Sequence, residues 1–182
     1  MVPHPDIERV LLDRQTIARR VEGMAADISR DYSLGQLLVV GVLKGSFIFM
    51  ADLIRAIALP CEVDFITVSS YGKNATTTGS VRILKDLDCD IGGRDVIIVE
   101  DILDSGTTLG YIMNVMEARH PSSLAICTLL DKPERRRVTV DARYVGFRTP
   151  DEFLVGYGLD YAGRYRNLPY IGILKREIYS CK

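Results

Sequence analysis

The chain has 182 residues, with 23 Lys+Arg against 24 Asp+Glu and a net charge of −1. That length suits one domain able to bury roughly 70% of its unfolded surface without disulfides, and the balanced charge argues against a general nucleic-acid or membrane-surface binder. The composition, 47% hydrophobic and 26% charged, is ordinary globular, and the two histidines, His4 and His120, both lie beside prolines, so any chemistry is expected to rest on carboxylates and lysines.

Ile17, Val21, Met24 and Ile28 recur at helical spacing, with Asp13 placed to cap that helix. Leu37–Leu43 (LLVVGVL) is a continuous apolar run, typical of a strand buried on both faces. Phe47, Met50, Ala51 and Ile54 predict a helix ending before Pro60. Glu62–Ser70 is β-rich and leads into a polar stretch, Tyr71–Ser80, after which Val81–Leu87 reads as a strand. Gly92-Gly93 marks a turn. Val96–Val99 is a second apolar run, Leu109, Ile112, Met113 and Met116 form a helical face, and Leu124–Leu130 is a third run. No repeat, linker or low-complexity tract interrupts this order. Cys61, Cys89, Cys127 and Cys181 form no metal-ligand spacing and read as free thiols. No apolar run could serve as a signal core or membrane span, so a cytoplasmic protein is expected.

Strands alternating with helices predict an α/β fold with a mostly parallel central sheet and helices on both faces. Ligands in such sheets bind beyond the carboxyl ends of the strands. The segments there are Lys44-Gly45-Ser46, Glu100-Asp101-Ile102-Leu103-Asp104-Ser105-Gly106-Thr107-Thr108 and Asp131-Lys132-Pro133. The central one combines two adjacent acids, a third acid and a hydroxyl-rich glycine turn opening a helix. Carboxylates suit sugar hydroxyls and Mg²⁺, and amides at a helix start suit phosphate. An acidic turn with Asp104 as helix cap would account for Asp104 but not for Glu100 and Asp101. The basic run Arg135-Arg136-Arg137 reads as a solvated loop or subunit contact.

The segment Val96–Thr108 resembles the phosphoribosyl-pyrophosphate signature of the type I phosphoribosyltransferases. Leu43-Lys44-Gly45, Ser70-Tyr71-Gly72, Asp131-Lys132-Pro133 and Phe153–Tyr161 (FLVGYGLDY) follow in order, together with Arg166. Over about Ile7–Lys175 the chain resembles the hypoxanthine-guanine branch of that family, in its shorter bacterial form.

The resemblance implies a single domain over 1–182, with a core at about 35–135 and a small hood from the N-terminal segment and about 140–182. It implies transfer of phosphoribose from phosphoribosyl pyrophosphate to N9 of hypoxanthine or guanine, giving IMP or GMP and pyrophosphate, with Mg²⁺. Lys44, Gly45 and Arg166 then face pyrophosphate, and the Leu43-Lys44 peptide is often cis in this family. Ser70 and Tyr71 begin a mobile loop. Glu100 and Asp101 face ribose hydroxyls and Mg²⁺, and Asp160 faces a second Mg²⁺ and the purine edge. Asp104 is the general base, and Ser105, Gly106, Thr107 and Thr108 hold the 5′-phosphate. Lys132 meets the 6-oxo group, Phe153 stacks on the base, and Leu154, where valine is usual, contacts it through backbone. A homodimer or homotetramer is implied, with no nucleic-acid or membrane partner. Two other readings stay open on sequence: a xanthine-preferring relative, and a regulatory RNA-binding protein on the same fold.

Overall fold

In a computed structural model of the chain, residues 2–32, 36–70 and 81–180 are described. Six strands form the large sheet, in the order β4-β3-β2-β5-β6-β7. They are β2 (Leu37–Leu43), β3 (Cys61–Ser70), β4 (Val81–Lys85), β5 (Asp95–Leu103), β6 (Ser123–Asp131) and β7 (Tyr144–Arg148). All pairings are parallel except the edge pair β3–β4. A second, antiparallel sheet has the order β1-β9-β8, from β1 (Ile7–Leu12), β8 (Leu154–Val155) and β9 (Ile171–Leu174). The helices are α1 (Arg14–Asp31), α2 (Phe47–Ala56), α3 (Thr107–Glu117) and α4 (Arg176–Ser180).

Alternation along the central strands divides the core into two layers. Leu37, Val39, Ile97 and Val99 pack with Ile17, Val21, Met24, Phe49 and Leu53 of α1 and α2. Leu38, Val40, Val96 and Ile98 pack on the other face with Leu109, Ile112 and Met116 of α3. Each such side chain, fully buried, contributes about 1.5–3 kcal/mol. Both faces of β2 and β5 are therefore covered, which explains why their sequences do not alternate with polar residues. Asp13 caps α1 as expected, its Oδ1 accepting from the Thr16 amide at 2.7 Å.

Two boundaries differ from the sequence reading. β5 runs on through Glu100 and Asp101 to Leu103, because its ladder with β6 continues from Glu100 opposite Thr128 to Leu103 opposite Asp131. Backbone pairing, not side-chain polarity, sets that length. β7 extends the large sheet to Arg148, beyond residue 140 where the hood was expected to begin, through its parallel pairing with β6. No described helix is long and apolar enough to cross a membrane.

Candidate active site

The carboxyl ends of β2, β5 and β6 lie side by side in the large sheet, so the three charged segments converge at one edge. A cleft of about 230 Å³ there is lined by Glu100–Gly106 and Thr108 with Val42, Leu43 and Val68. A larger groove of about 850 Å³ between α1, α2 and residues 167–169 contains none of the expected site residues.

The Leu43-Lys44 peptide after β2 is cis. It leads to an exposed Lys44 and to Gly45, which lies so close to Asp101 that a Cβ would overlap that carboxylate. A Cβ on Gly158 would in turn overlap the Gly45 carbonyl, so the loop bearing Asp160 and Arg166 docks backbone to backbone on the Lys44-Gly45 loop. Arg166 holds that loop together. Its Nη1 donates to the Gly158 carbonyl at 2.6 Å and its Nη2 pairs with Asp160 Oδ1 at 2.7 Å. Asp160 Oδ2 accepts from the Gly163 amide at 2.7 Å.

Asp101 is 7% exposed, and its Oδ1 accepts from the Ile102 amide at 2.8 Å. Burial raises its pKa, against which the Glu100 hydrogen bond, backbone amides and the Arg166 charge work. Burial, then the Asp101 charge, pushes the Glu100 carboxyl well above the usual range. Two adjacent acids held this way suit a hard cation with oxygen ligands. Among the described residues no three of His, Cys, Asp and Glu converge on a common point. Mg²⁺ binding through one or two carboxylates plus substrate oxygens fits that donor set.

The strand-to-helix turn follows. Gly106 has φ +81° and precedes Thr107, the first residue of α3, with no side-chain capping bond. The left-handed conformation there favours glycine. Asp104 does not cap the helix. Among the described residues its Oδ1 is buried without a hydrogen-bond partner, and its Oδ2 lies 3.7 Å from Arg135. Ser105 Oγ donates to Thr107 Oγ1 at 3.2 Å, so the hydroxyls cluster at the helix entrance.

Lys132 follows β6 and is 6% exposed. Its amide donates to the Leu103 carbonyl at 3.0 Å, joining the ends of β5 and β6. Its ammonium donates to the Glu152 carbonyl at 2.6 Å, and burial lowers its pKa. Phe153 is the next residue, half-buried, stacked on Tyr179 with centroids 4.9 Å apart and met edge-on by Tyr161 at 5.4 Å. Leu154 is buried in β8 opposite Ile173. Lys132 and Phe153 thus lie along one wall, whereas the Leu154 side chain turns into the core. Ser70 ends β3, whereas Tyr71 and the rest of the expected loop to Ser80 lie outside the described residues.

The contacts made by Glu152, Asp131 and Arg136 escaped sequence reasoning. Glu152 acts through its carbonyl, which has no sequence signature. The arginine run is not simply solvated, since Arg136 is partly buried and pairs with Asp131.

The Phosphoribosyl transferase domain family matches residues 10–162. The hypoxanthine-guanine phosphoribosyltransferase of Bacillus subtilis is 50% identical over 180 residues, covering 99% of both chains. A bifunctional protein TilS/HprT of Listeria innocua is 50% identical over 177 residues, and there the match spans 97% of this chain but only 27% of that longer protein. A crystal structure of a hypoxanthine phosphoribosyltransferase from Staphylococcus aureus superposes with a TM-score of 0.93 at 49% identity, covering 97% of this chain and 96% of that one. With its fold, acid pair and helix-entrance loop accounted for, the chain belongs to the phosphoribosyl transferase domain family.

Proposed function

We propose that the chain transfers the 5-phosphoribosyl group from phosphoribosyl pyrophosphate to N9 of hypoxanthine or guanine, releasing pyrophosphate and giving IMP or GMP in purine salvage. The observation that carries this reading is Asp104. It is a carboxylate with an oxygen that is buried and unpartnered among the described residues, two residues before the glycine of a phosphate-suited helix entrance and near enough to the buried Lys132 ammonium for its charge to act on it.

The roles follow from the chemistry of each group. Asp104 takes the proton displaced as the purine nitrogen bonds to carbon, a general-base contribution of about 10²–10⁴-fold. The hydroxyls and amides from Ser105 to Thr108 hold the 5′-phosphate. Lys132 has only donors to offer, so it favours a 6-oxo acceptor over the 6-amino donor of adenine. Phe153 packs against the base, and the Leu154 backbone meets its edge. Lys44 and Arg166 stabilise the departing pyrophosphate oxygens. Glu100 and Asp101 would hold the ribose hydroxyls and a Mg²⁺ ion, and Asp160 would serve a second ion. When bound, Mg²⁺ offsets the charge that develops on the leaving group.

The test is an assay with Mg²⁺ and phosphoribosyl pyrophosphate against hypoxanthine, guanine, xanthine and adenine in parallel. Turnover of hypoxanthine and guanine is expected. Fastest turnover of xanthine would replace the proposed specificity, and no turnover of any purine would end the transferase reading. In Lys132→Met the preference for hypoxanthine over adenine should erode, and an intact preference would remove the donor argument.

A further inference from the structure

The basic run after Lys132 contains one residue whose surroundings are those of a built joint. Arg136 has a side chain only 20% exposed, and all three of its donor groups are engaged. Its Nε donates to the Asp104 carbonyl at 3.1 Å, its Nη1 donates to the Val140 carbonyl at 3.0 Å, and its Nη2 pairs with the Asp131 carboxylate, itself 12% exposed in its side chain. We propose that Arg136 is a positioning residue for the transfer reaction, tying the Asp104 loop to the Asp131–Lys132 end of β6 so that proton acceptor and purine-facing lysine keep their relative placement. This inference rests on the function proposed above.

The neighbouring backbone makes the same joint. The amides of Arg137 and Val138 both donate to the Ser105 carbonyl, at 2.9 and 3.1 Å. A Cβ on Gly106 would lie 2.6 Å from the Val138 carbonyl oxygen and 3.0 Å from Arg136 Cδ, so the glycine turn rests directly on this segment. Residues 136–138 are therefore a floor under the loop that carries Asp104, and Arg136 is the bolt through it. A planar guanidinium can serve three divergent acceptors at once, whereas an ammonium on a flexible stem cannot hold them in one geometry. Misplacement of a catalytic group by about 1 Å can cost on the order of 10²-fold in rate.

The experiment measures three quantities on the full chain: the single-turnover rate of IMP formation with Mg²⁺, phosphoribosyl pyrophosphate and hypoxanthine, the dissociation constant for IMP, and the thermal midpoint. Arg136→Lys keeps the charge beside Asp131 but loses the fork. Its single-turnover rate is expected to fall about ten-fold or more, with IMP affinity changed by less than about three-fold. The double substitution Asp131→Asn with Arg136→Met removes both buried charges together, so no unpaired charge is left to unfold the chain, and it should be slow as well. A rate within about two-fold of the parent in either folded variant overturns the proposal. So does an equal loss of rate and IMP affinity, which would make Arg136 a general support. A parent chain inactive on every purine sinks the transferase reading, and this inference with it, whereas an active parent matched by an equally active variant sinks only this inference.

Discussion

Asp64 on β3 and Asp101 on β5 are both 7% exposed and sit on one sheet, yet their surroundings differ. Asp64 accepts from the amides of Phe65 and Asp88, each at 2.7 Å, and from the Lys85 ammonium at 3.5 Å. Burial pushes its pKa upward, but these donors and the Lys85 charge prevail, and the net shift is downward. At Asp101 burial prevails over the Glu100 hydrogen bond, the Ile102 amide and the Arg166 charge, and the net shift is upward. The two sites bury carboxyl groups to opposite ends. Asp64 is satisfied from within and adds stability. Glu100 and Asp101 keep an unmet demand for positive charge, which is what a cation or a polyhydroxyl substrate can supply.

Substitutions can break this comparison, and the largest effect is expected at the least satisfied acid. Asp104→Asn should lower kcat by about 10²–10⁴-fold while IMP affinity changes far less. Unchanged turnover would remove its role as base. Asp101→Asn should abolish most activity yet leave the urea midpoint equal or higher, because it removes one of two crowded carboxylates. A marked fall in the midpoint would show that Asp101 is a structural acid like Asp64.

Asp64→Asn should do the reverse, costing about 1–3 kcal/mol of stability with kcat intact. Its pH dependence has a definite sign. A carboxyl whose pKa is lowered by folding contributes fully above the ordinary aspartate range, and that contribution is lost as pH falls through the lowered folded value. The stability gap between parent and Asp64→Asn should therefore close on acidification from roughly pH 5 to pH 2, read by urea melts. A gap that stays constant would contradict the assignment. Smallest is Asp13→Ala, which removes only a cap and should cost about 1 kcal/mol, with no change in KM for either substrate.

Local pattern made part of this molecule legible from its sequence. β2 spans Leu37–Leu43 as read, because a strand covered on both faces must be continuously apolar, and Asp13 caps α1 because capping is settled within three residues. The acid pair and the glycine turn were equally visible, since one short segment contains them. What was hidden depends on distant partners. The last residues of β5 are strand only because β6 continues beside them. The antiparallel sheet pairs Ile7 with Leu174, which no local periodicity announces. Lys132 finds its acceptor in a main-chain carbonyl, and Arg136 in a charge run resembles any solvated arginine until Asp131 and Asp104 are brought beside it.

The pairing of β8 with β9 also sets an order of assembly in time. The Leu174 amide donates to the Phe153 carbonyl at 2.9 Å, so the wall bearing Phe153 is braced by a strand synthesised after it. The phosphate turn and both acids leave the ribosome more than sixty residues earlier, which at about 5–20 residues per second is a delay of seconds. A nascent chain passes through a stage in which the sugar-phosphate side can form while the base side cannot. A fragment ending before Ile171 should therefore be half a site, able to hold phosphate but with no braced surface on which to receive a purine.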